Sequence, residues 1–265
     1  MVTNRAVLTE RRESVLLVTI NRPEARNSVN AAVAEGIGDA IELARRDPDI
    51  RVVVLTGSGD TAFCSGGDLK DMAAGQALVP ADPEKRAWGF GGICEHPIDK
   101  PVIAAVNGAA IGGGFEIAMA CDLIVADDTA YFSLPEVRNG FLASAGGAVW
   151  LAQWVPRVVA MEILLLGDRF TAAQAKEWGL VNRVVPRGDA LAVALEMAEV
   201  LAANAPLAVQ ASKRLVAGLV GTESVTDREA WARSNAEKKT IEDTEDAKEG
   251  PRAFTEKRPA IWKGR

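Results

Sequence analysis

Four short β-branched runs, "VLLVTI" (15–20), "RVVVLT" (51–56), "PVIAAV" (101–106) and "DLIVAD" (122–127), recur between longer stretches of helical periodicity. They are apolar at nearly every position rather than at alternate ones, so each predicts a strand buried on both faces. That requirement points to an α/β architecture with a covered, largely parallel sheet. A first helix is expected to begin near Asn27 or Ser28, both good caps, and to end at the Asp47-Pro48-Asp49 break. Beyond Val185 the strand pattern stops, and "ALAVALEMAEVLAANAP", "LAVQASKRLVAGL" and "VTDREAWARSNAEKKTIED" are helical in period. Residues 1–197 are therefore expected to form the α/β core and residues 198–265 a helical appendage.

The 265 residues, 48% of them hydrophobic, suffice for a large core, and neither a low-complexity linker nor a fixed-period repeat interrupts them. No apolar run approaches the roughly 20 residues needed to span a bilayer, and the first residues lack an apolar signal core. A soluble, cytoplasmic protein with no membrane partner is the expectation. Cys64, Cys94 and Cys121 lack the paired spacing of a zinc site and are expected to be reduced, buried thiols. A net charge of −6, without a basic stripe carrying interleaved aromatics, argues against nucleic acid as a partner.

Chemistry concentrates at strand ends. "NGAAIGGGFEIAMACD" (107–122) joins a strand to a helix through Gly112, Gly113 and Gly114, with Glu116 just inside the helix. Glycine lets a ligand approach main-chain N–H groups, and at a helix start those groups are unpaired and carry the positive end of the dipole. The stretch lacks the G-x-G-x-x-G order and a following G-K-[ST], which favours an oxyanion site over a pyrophosphate cradle. A second glycine loop, "TAFCSGGDLKDM" (61–72), follows the second strand and also leads into a helix. Two such loops can each direct one N–H at the same oxygen.

With both loops in view, the sequence resembles the crotonase superfamily, the enoyl-CoA hydratase and isomerase group. The matching segments are "NRPEARNS" (21–28), "AFCSGGDLKDM" (62–72), "NGAAIGGGFEIAMACD" (107–122), "FSLPEV" (132–137), "AGG" (145–147), 167–185 and "EDAKEGPRAFTEKR" (245–258), in order along nearly the whole chain. The resemblance implies a spiral of ββα units with a C-terminal helical region that mediates trimer formation, commonly with two trimers stacked as a hexamer. It implies an acyl-CoA thioester substrate whose carbonyl oxygen is held by the amides of Gly67 and Gly113. Coenzyme A is then part of the substrate, and no metal or redox cofactor is expected. The resemblance also makes Arg26 and, in the 61–72 loop, Ser65, Asp68, Leu69 and Lys70 substrate contacts alongside the two glycines.

Within that group the carboxylates decide the reaction. A glutamate stands at both relevant positions, Glu116 in "GGGFE" and Glu136 in "SLPE". Hydration of a trans-2-enoyl-CoA needs a proton taken from water at the β-carbon and another delivered to the α-carbon, and two carboxyl groups can do both. By the resemblance Glu116 activates water and Glu136 protonates the α-carbon. The same resemblance leaves an enoyl-CoA isomerase, a carnitinyl-CoA-type dehydratase and a non-catalytic acyl-CoA-binding protein as alternatives. Isomerases of the group typically lack the first glutamate, which favours a hydratase. One departure falls in "GFLASAGG", where Ala143 occupies a position often held by proline in the loop that shapes the acyl pocket.

His96 is the only histidine, and without a G-x-S-x-G elbow it is expected to be structural. Trp150 and Trp154, four apart on an expected helix, read as a packing pair. The segment 248–265 holds six basic residues against two acidic ones. Here the resemblance implies that Phe254 lies near the adenine and Lys257 near the phosphates of coenzyme A.

Overall fold

The four apolar runs become neighbours in one sheet. In the computed structural model, which describes residues 6–221 and 223–265, the strands are β1 (Val7–Arg12), β2 (Val15–Ile20), β3 (Val52–Gly57), β4 (Ala62–Cys64), β5 (Val102–Val106), β6 (Ala109–Ile111), β7 (Leu123–Asp127), β8 (Tyr131–Ser133), β9 (Phe170–Thr171) and β10 (Arg183–Val185). One sheet has the order β1-β2-β3-β5-β7-β10, parallel except for the β1–β2 hairpin. The other has the order β4-β6-β8-β9. Successive pairs β3–β4, β5–β6 and β7–β8 each send their first strand to the large sheet and their second to the small one. This is the ββα spiral of an α/β protein, and it brings the chain segments after β4, β6 and β8 together at one end of the small sheet.

The helices are α1 (Ala31–Arg46), α2 (Leu69–Ala73), α3 (Pro83–Arg86), α4 (Gly113–Met119), α5 (Gly147–Trp154), α6 (Arg157–Leu166), α7 (Ala172–Glu177), α8 (Ala190–Ala203), α9 (Pro206–Ala217), α10 (Arg228–Glu242) and α11 (Glu245–Glu256). Both faces of the large sheet are covered, as continuous apolar strands require. Val53, Leu55 and Ala104 face the larger core with Val33, Ile37 and Ile41 of α1. Val52, Val54, Ile103 and Val125 face Ala190, Ala194 and Ala198, a stripe of small residues every fourth position that lets α8 lie close to the strands. The boundary expected between residues 197 and 198 therefore falls inside α8, a helix that belongs to the sheet. The C-terminal helical run is also interrupted, because Leu219–Val220 pairs with Glu223–Ser224 in a short antiparallel hairpin.

The start of the first helix differs from expectation. Asn30 caps α1, its Oδ1 accepting the Val33 N–H at 3.1 Å. Asn27 and Ser28 serve a different purpose. Asn27 is buried with φ +56, a left-handed conformation that asparagine tolerates well. Its Nδ2 donates to the carbonyls of Ser58 at 2.9 Å and Ala62 at 2.7 Å, and its Oδ1 accepts the Arg22 N–H at 3.0 Å. It ties the loop before α1 to both ends of the β3–β4 turn. The three cysteines are buried and free.

Asn27→Ala removes these bonds, strands the buried Ala62 carbonyl and the half-buried Ser58 carbonyl, and leaves an alanine in a left-handed conformation. The expected loss is about 2–4 kcal/mol of unfolding free energy, read by urea denaturation.

Candidate active site

The segments after β4 and β6 approach each other more closely than side chains permit. A Cβ on Gly114 would lie 2.0 Å from the Cys64 carbonyl oxygen. One on Gly66, where φ is +85, would lie 2.8 Å from the Ile111 carbonyl oxygen and 3.2 Å from the Gly113 nitrogen. Glycine at both positions permits this backbone contact. A lone bridge between Val29 and Gly67 then orients the first loop: Val29 donates to the Gly66 carbonyl at 2.8 Å and Asp68 donates to the Val29 carbonyl at 2.9 Å. These bonds occupy the peptide groups flanking Gly67. The amides of Gly67 and Gly113 have no acceptor among the described residues, and Gly113 opens α4.

Both glutamates point into the same buried region. Glu116 lies in the first turn of α4, only 3% exposed, and its Oε1 accepts the Gly147 N–H at 2.9 Å. Burial raises its pKa, while the amides of Gly147 and Ala145 pull the other way. Glu136 begins the 3₁₀ turn Glu136–Asn139 just after β8. Its Oε2 is buried with no hydrogen-bond partner among the described residues. Burial, and then the charge of Glu116, push its pKa up. A Cβ on Gly112 would come within 2.7 Å of the Glu136 Oε1, so the first of the three consecutive glycines leaves room for the second carboxyl. The arrangement offers two amide donors and two coupled carboxyl groups whose amide support differs.

The sequence matches the enoyl-CoA hydratase/isomerase family profile over residues 10–265. The chain belongs to that family. A carnitinyl-CoA dehydratase from Salmonella enteritidis PT4 is 40% identical over 254 residues, 95% of each chain. The structure of a carnitinyl-CoA dehydratase from Mycobacterium avium 104 is 51% identical with a TM-score of 0.93, covering 98% of this chain and 99% of that one. An enoyl-CoA hydratase from Mycobacterium tuberculosis H37Rv is 41% identical with a TM-score of 0.76, covering 98% and 100%.

In this hydratase/isomerase chain the remaining sequence-derived contacts divide into two groups. Ser65 donates its N–H to the Arg26 carbonyl at 3.1 Å, bringing the two loops together, and the Arg26 and Lys70 side chains are exposed. Leu69 is half-buried at the start of α2. Asp68 is committed within the protein. Its Oδ1 caps α2, and its Oδ2 accepts from Arg22 at 2.9 Å and from the Ser28 hydroxyl at 3.1 Å. Burial opposes ionisation of Asp68, but Arg22 and the cap hydrogen bonds outweigh it and hold the pKa down.

The basic C-terminal segment is largely neutralised from within. Arg252 and Arg258 pair with Glu249, Arg258 also with Glu256, and Lys263 and Arg265 with Glu245. Phe254 remains 55% exposed. Lys257, also exposed, has no ion pair among the described residues and caps α11 with φ +52.

Phe90 was not singled out by sequence. Its ring carbon Cε1 lies 2.2 Å from where a Cβ on Gly113 would be, and Cε2 lies 3.9 Å from the corresponding point on Gly67. The ring thus packs beside both loop glycines. Gly89, Gly91 and Gly92, all at positive φ, shape this segment. His96 secures it: Nε2 meets Glu42 at 2.8 Å, Nδ1 meets the Gly92 carbonyl at 3.1 Å, and the ring stacks on Trp88 at 4.7 Å. The structural role expected of His96 is observed, and the signal for Phe90 was the glycine cluster around it. Ala143 is buried beside Gly147, within the loop that supports Glu116.

A carboxyl with a raised pKa keeps its proton in the fold over a pH range where the unfolded chain has lost it, so stability falls as pH rises through that window. Glu136→Gln, isosteric and uncharged, removes this dependence. We expect the variant to match wild type near pH 4 and to exceed it by about 1–2 kcal/mol near pH 8, measured by denaturant unfolding across pH.

Proposed function

We propose that the chain catalyses reversible addition of water across the α,β-bond of an acyl-CoA thioester, with carnitinyl-CoA, a 3-hydroxyacyl thioester, as the preferred substrate. The observation carrying the reaction type is the pair of glutamates, Glu116 supported by amide donors and Glu136 with an orphan Oε2, together with the amides of Gly67 and Gly113, which have no acceptor among the described residues. In hydration, Glu116 takes a proton from water as the oxygen bonds to the β-carbon. Electrons move toward the thioester oxygen, where the two amides stabilise the growing charge, and Glu136 then delivers a proton to the α-carbon. Dehydration reverses each step: Glu136 removes the α-proton and Glu116 protonates the departing hydroxyl. The Gly147 and Ala145 amides favour the ionised form of Glu116, and the unpartnered Oε2 of Glu136 suits the proton-bearing role.

The carnitinyl reading is supported by likeness: the Mycobacterium avium carnitinyl-CoA dehydratase superposes with a TM-score of 0.93, against 0.76 for the Mycobacterium tuberculosis enoyl-CoA hydratase. A simple trans-2-enoyl-CoA is the second reading, supported by the retention of both glutamates. The coenzyme A moiety would meet Arg26, Lys70, Phe254 and Lys257. Exposed Val158 and Leu165 of α6, with Leu215 and Val216 of α9, fit self-association as a trimer or hexamer in the cytoplasm.

Steady-state kinetics with carnitinyl-CoA, crotonyl-CoA and longer enoyl-CoA thioesters should give the highest kcat/KM with carnitinyl-CoA. A clear preference for crotonyl-CoA would instead assign the simple hydratase. Glu116→Gln and Glu136→Gln should each lower kcat by at least about 10²-fold, with smaller changes in KM. Gly67→Ala keeps the N–H, and its one close approach would be to the Leu78 Cδ1 methyl, at 2.7 Å, so it should stay substantially active. An inactive, folded Gly67→Ala protein would remove Gly67 from the oxyanion role.

A further inference from the structure

We propose that α11 is a positioning element for Glu136, acting through the contact of Gly250 with the turn that carries the glutamate. The turn itself is one short 3₁₀ segment, Glu136–Asn139, closed by Gly140 at φ +74 and by the Asn139 Nδ2 donating to the Pro135 carbonyl at 3.1 Å. The Glu136 Oε2 has no partner among the described residues, so the backbone of the turn, rather than a hydrogen bond to that oxygen, determines where the carboxyl sits. The turn is therefore where positional control has to act.

It is held from two sides. On one side Arg138 donates through Nε to the Leu166 carbonyl at 2.7 Å and pairs with Asp168. On the other side α11 lies directly on the turn. A Cβ on Gly250 would stand 1.8 Å from the Asn139 carbonyl oxygen, and one on Gly140 would stand 2.3 Å from the Asp246 carbonyl oxygen. Two glycines, one on each surface, allow backbone to meet backbone. The same helix also packs against α2, which follows Gly67, so one element touches both the turn of Glu136 and the loop of the first amide.

The helix is fixed in turn by the tail folded back along it. Glu249 is buried and accepts from Arg252, from Arg258 and from the Ile261 N–H at 3.0 Å. Asp246 accepts the N–H groups of Lys263 at 2.7 Å and Gly264 at 2.9 Å. The charged C-terminal segment thus secures a helix whose buried face sets the position of a carboxyl.

The kinetic part of the inference rests on the proposed acid role of Glu136, and the spectroscopic part does not. The test is Gly250→Ala in the full chain, alone and combined with Glu136→Gln. Alone it should lower kcat about 10–100-fold with a smaller change in KM, because Gly250 is buried against the turn whereas Phe254 and Lys257 are exposed. In the Glu136→Gln background it should cause no further loss, since the two substitutions act on one group. Infrared difference spectroscopy follows the protonated carboxyl band that disappears in Glu136→Gln. In Gly250→Ala its titration midpoint should move down toward the ordinary carboxylate range as the turn opens to water. Should Gly250→Ala not fold, Glu249→Gln loosens the helix without adding atoms at the turn, and should shift kcat and midpoint in the same directions by less. A loss in the double variant that multiplies the two single losses, or an unchanged kcat and midpoint, overturns the proposal. A wild-type protein without hydratase or dehydratase turnover overturns the functional reading, while the midpoint still decides the positioning role.

Discussion

The structure depends on the contact of two backbones at Gly66 and Gly114. No side chain fits between the loop after β4 and the start of α4, and the Cys64 carbonyl would meet a Cβ on Gly114 at 2.0 Å. The amides of Gly67 and Gly113, from separate ββα units, have no acceptor among the described residues, and the Phe90 ring lies near both. Unpaired polar groups in a partly buried region are unfavourable without a partner, and in the proposed reaction a thioester oxygen gathering negative charge would supply one. The Arg22–Asp68–Ser28 network and the Asn27 carboxamide keep the first of these loops from relaxing.

The electrostatics of the two carboxyls follow from the same spiral. Glu116 comes from the second unit and Glu136 from the third, and the units stack in register through β6 and β8. Both carboxyls lose water, so both resist ionisation. They differ in support: Glu116 has the amides of Ala145 and Gly147, whereas Glu136 feels the repulsion of Glu116 against only its own backbone amide. The proposed base and acid, alike in residue type, thus differ in what surrounds them, which sets their tendencies to hold a proton apart.

The charged C-terminus adds a third layer. Its lysines and arginines appear in sequence as an excess awaiting an anion, yet most find carboxylates within the same arm. The pairing depends on the chain reversing after α11, so that residues near 261 meet Glu249 and those near 264 meet Asp246 and Glu245. Four basic side chains thereby act on the fold of the arm, leaving Lys257 exposed beside Phe254.

From sequence alone, the apolar runs at 15–20, 51–56, 101–106 and 122–127 determined the covered parallel sheet, because period and composition are local properties. The two glycine loops and Glu116 stood out in sequence by residue type and position, and Glu136 by the family resemblance. Tertiary structure alone decided which asparagine caps α1, that Asp68 is committed to Arg22, that Phe90 packs beside both loop glycines and that α11 lies on the turn of Glu136. The cap follows from Asn27 being drawn to Ser58 and Ala62, and each of the others is likewise a contact between residues far apart in the chain, chosen by the packing of whole elements. The α8 boundary has the same origin: an alanine-rich helix shows the same period in an appendage or against a sheet, and only the facing strands decide between them.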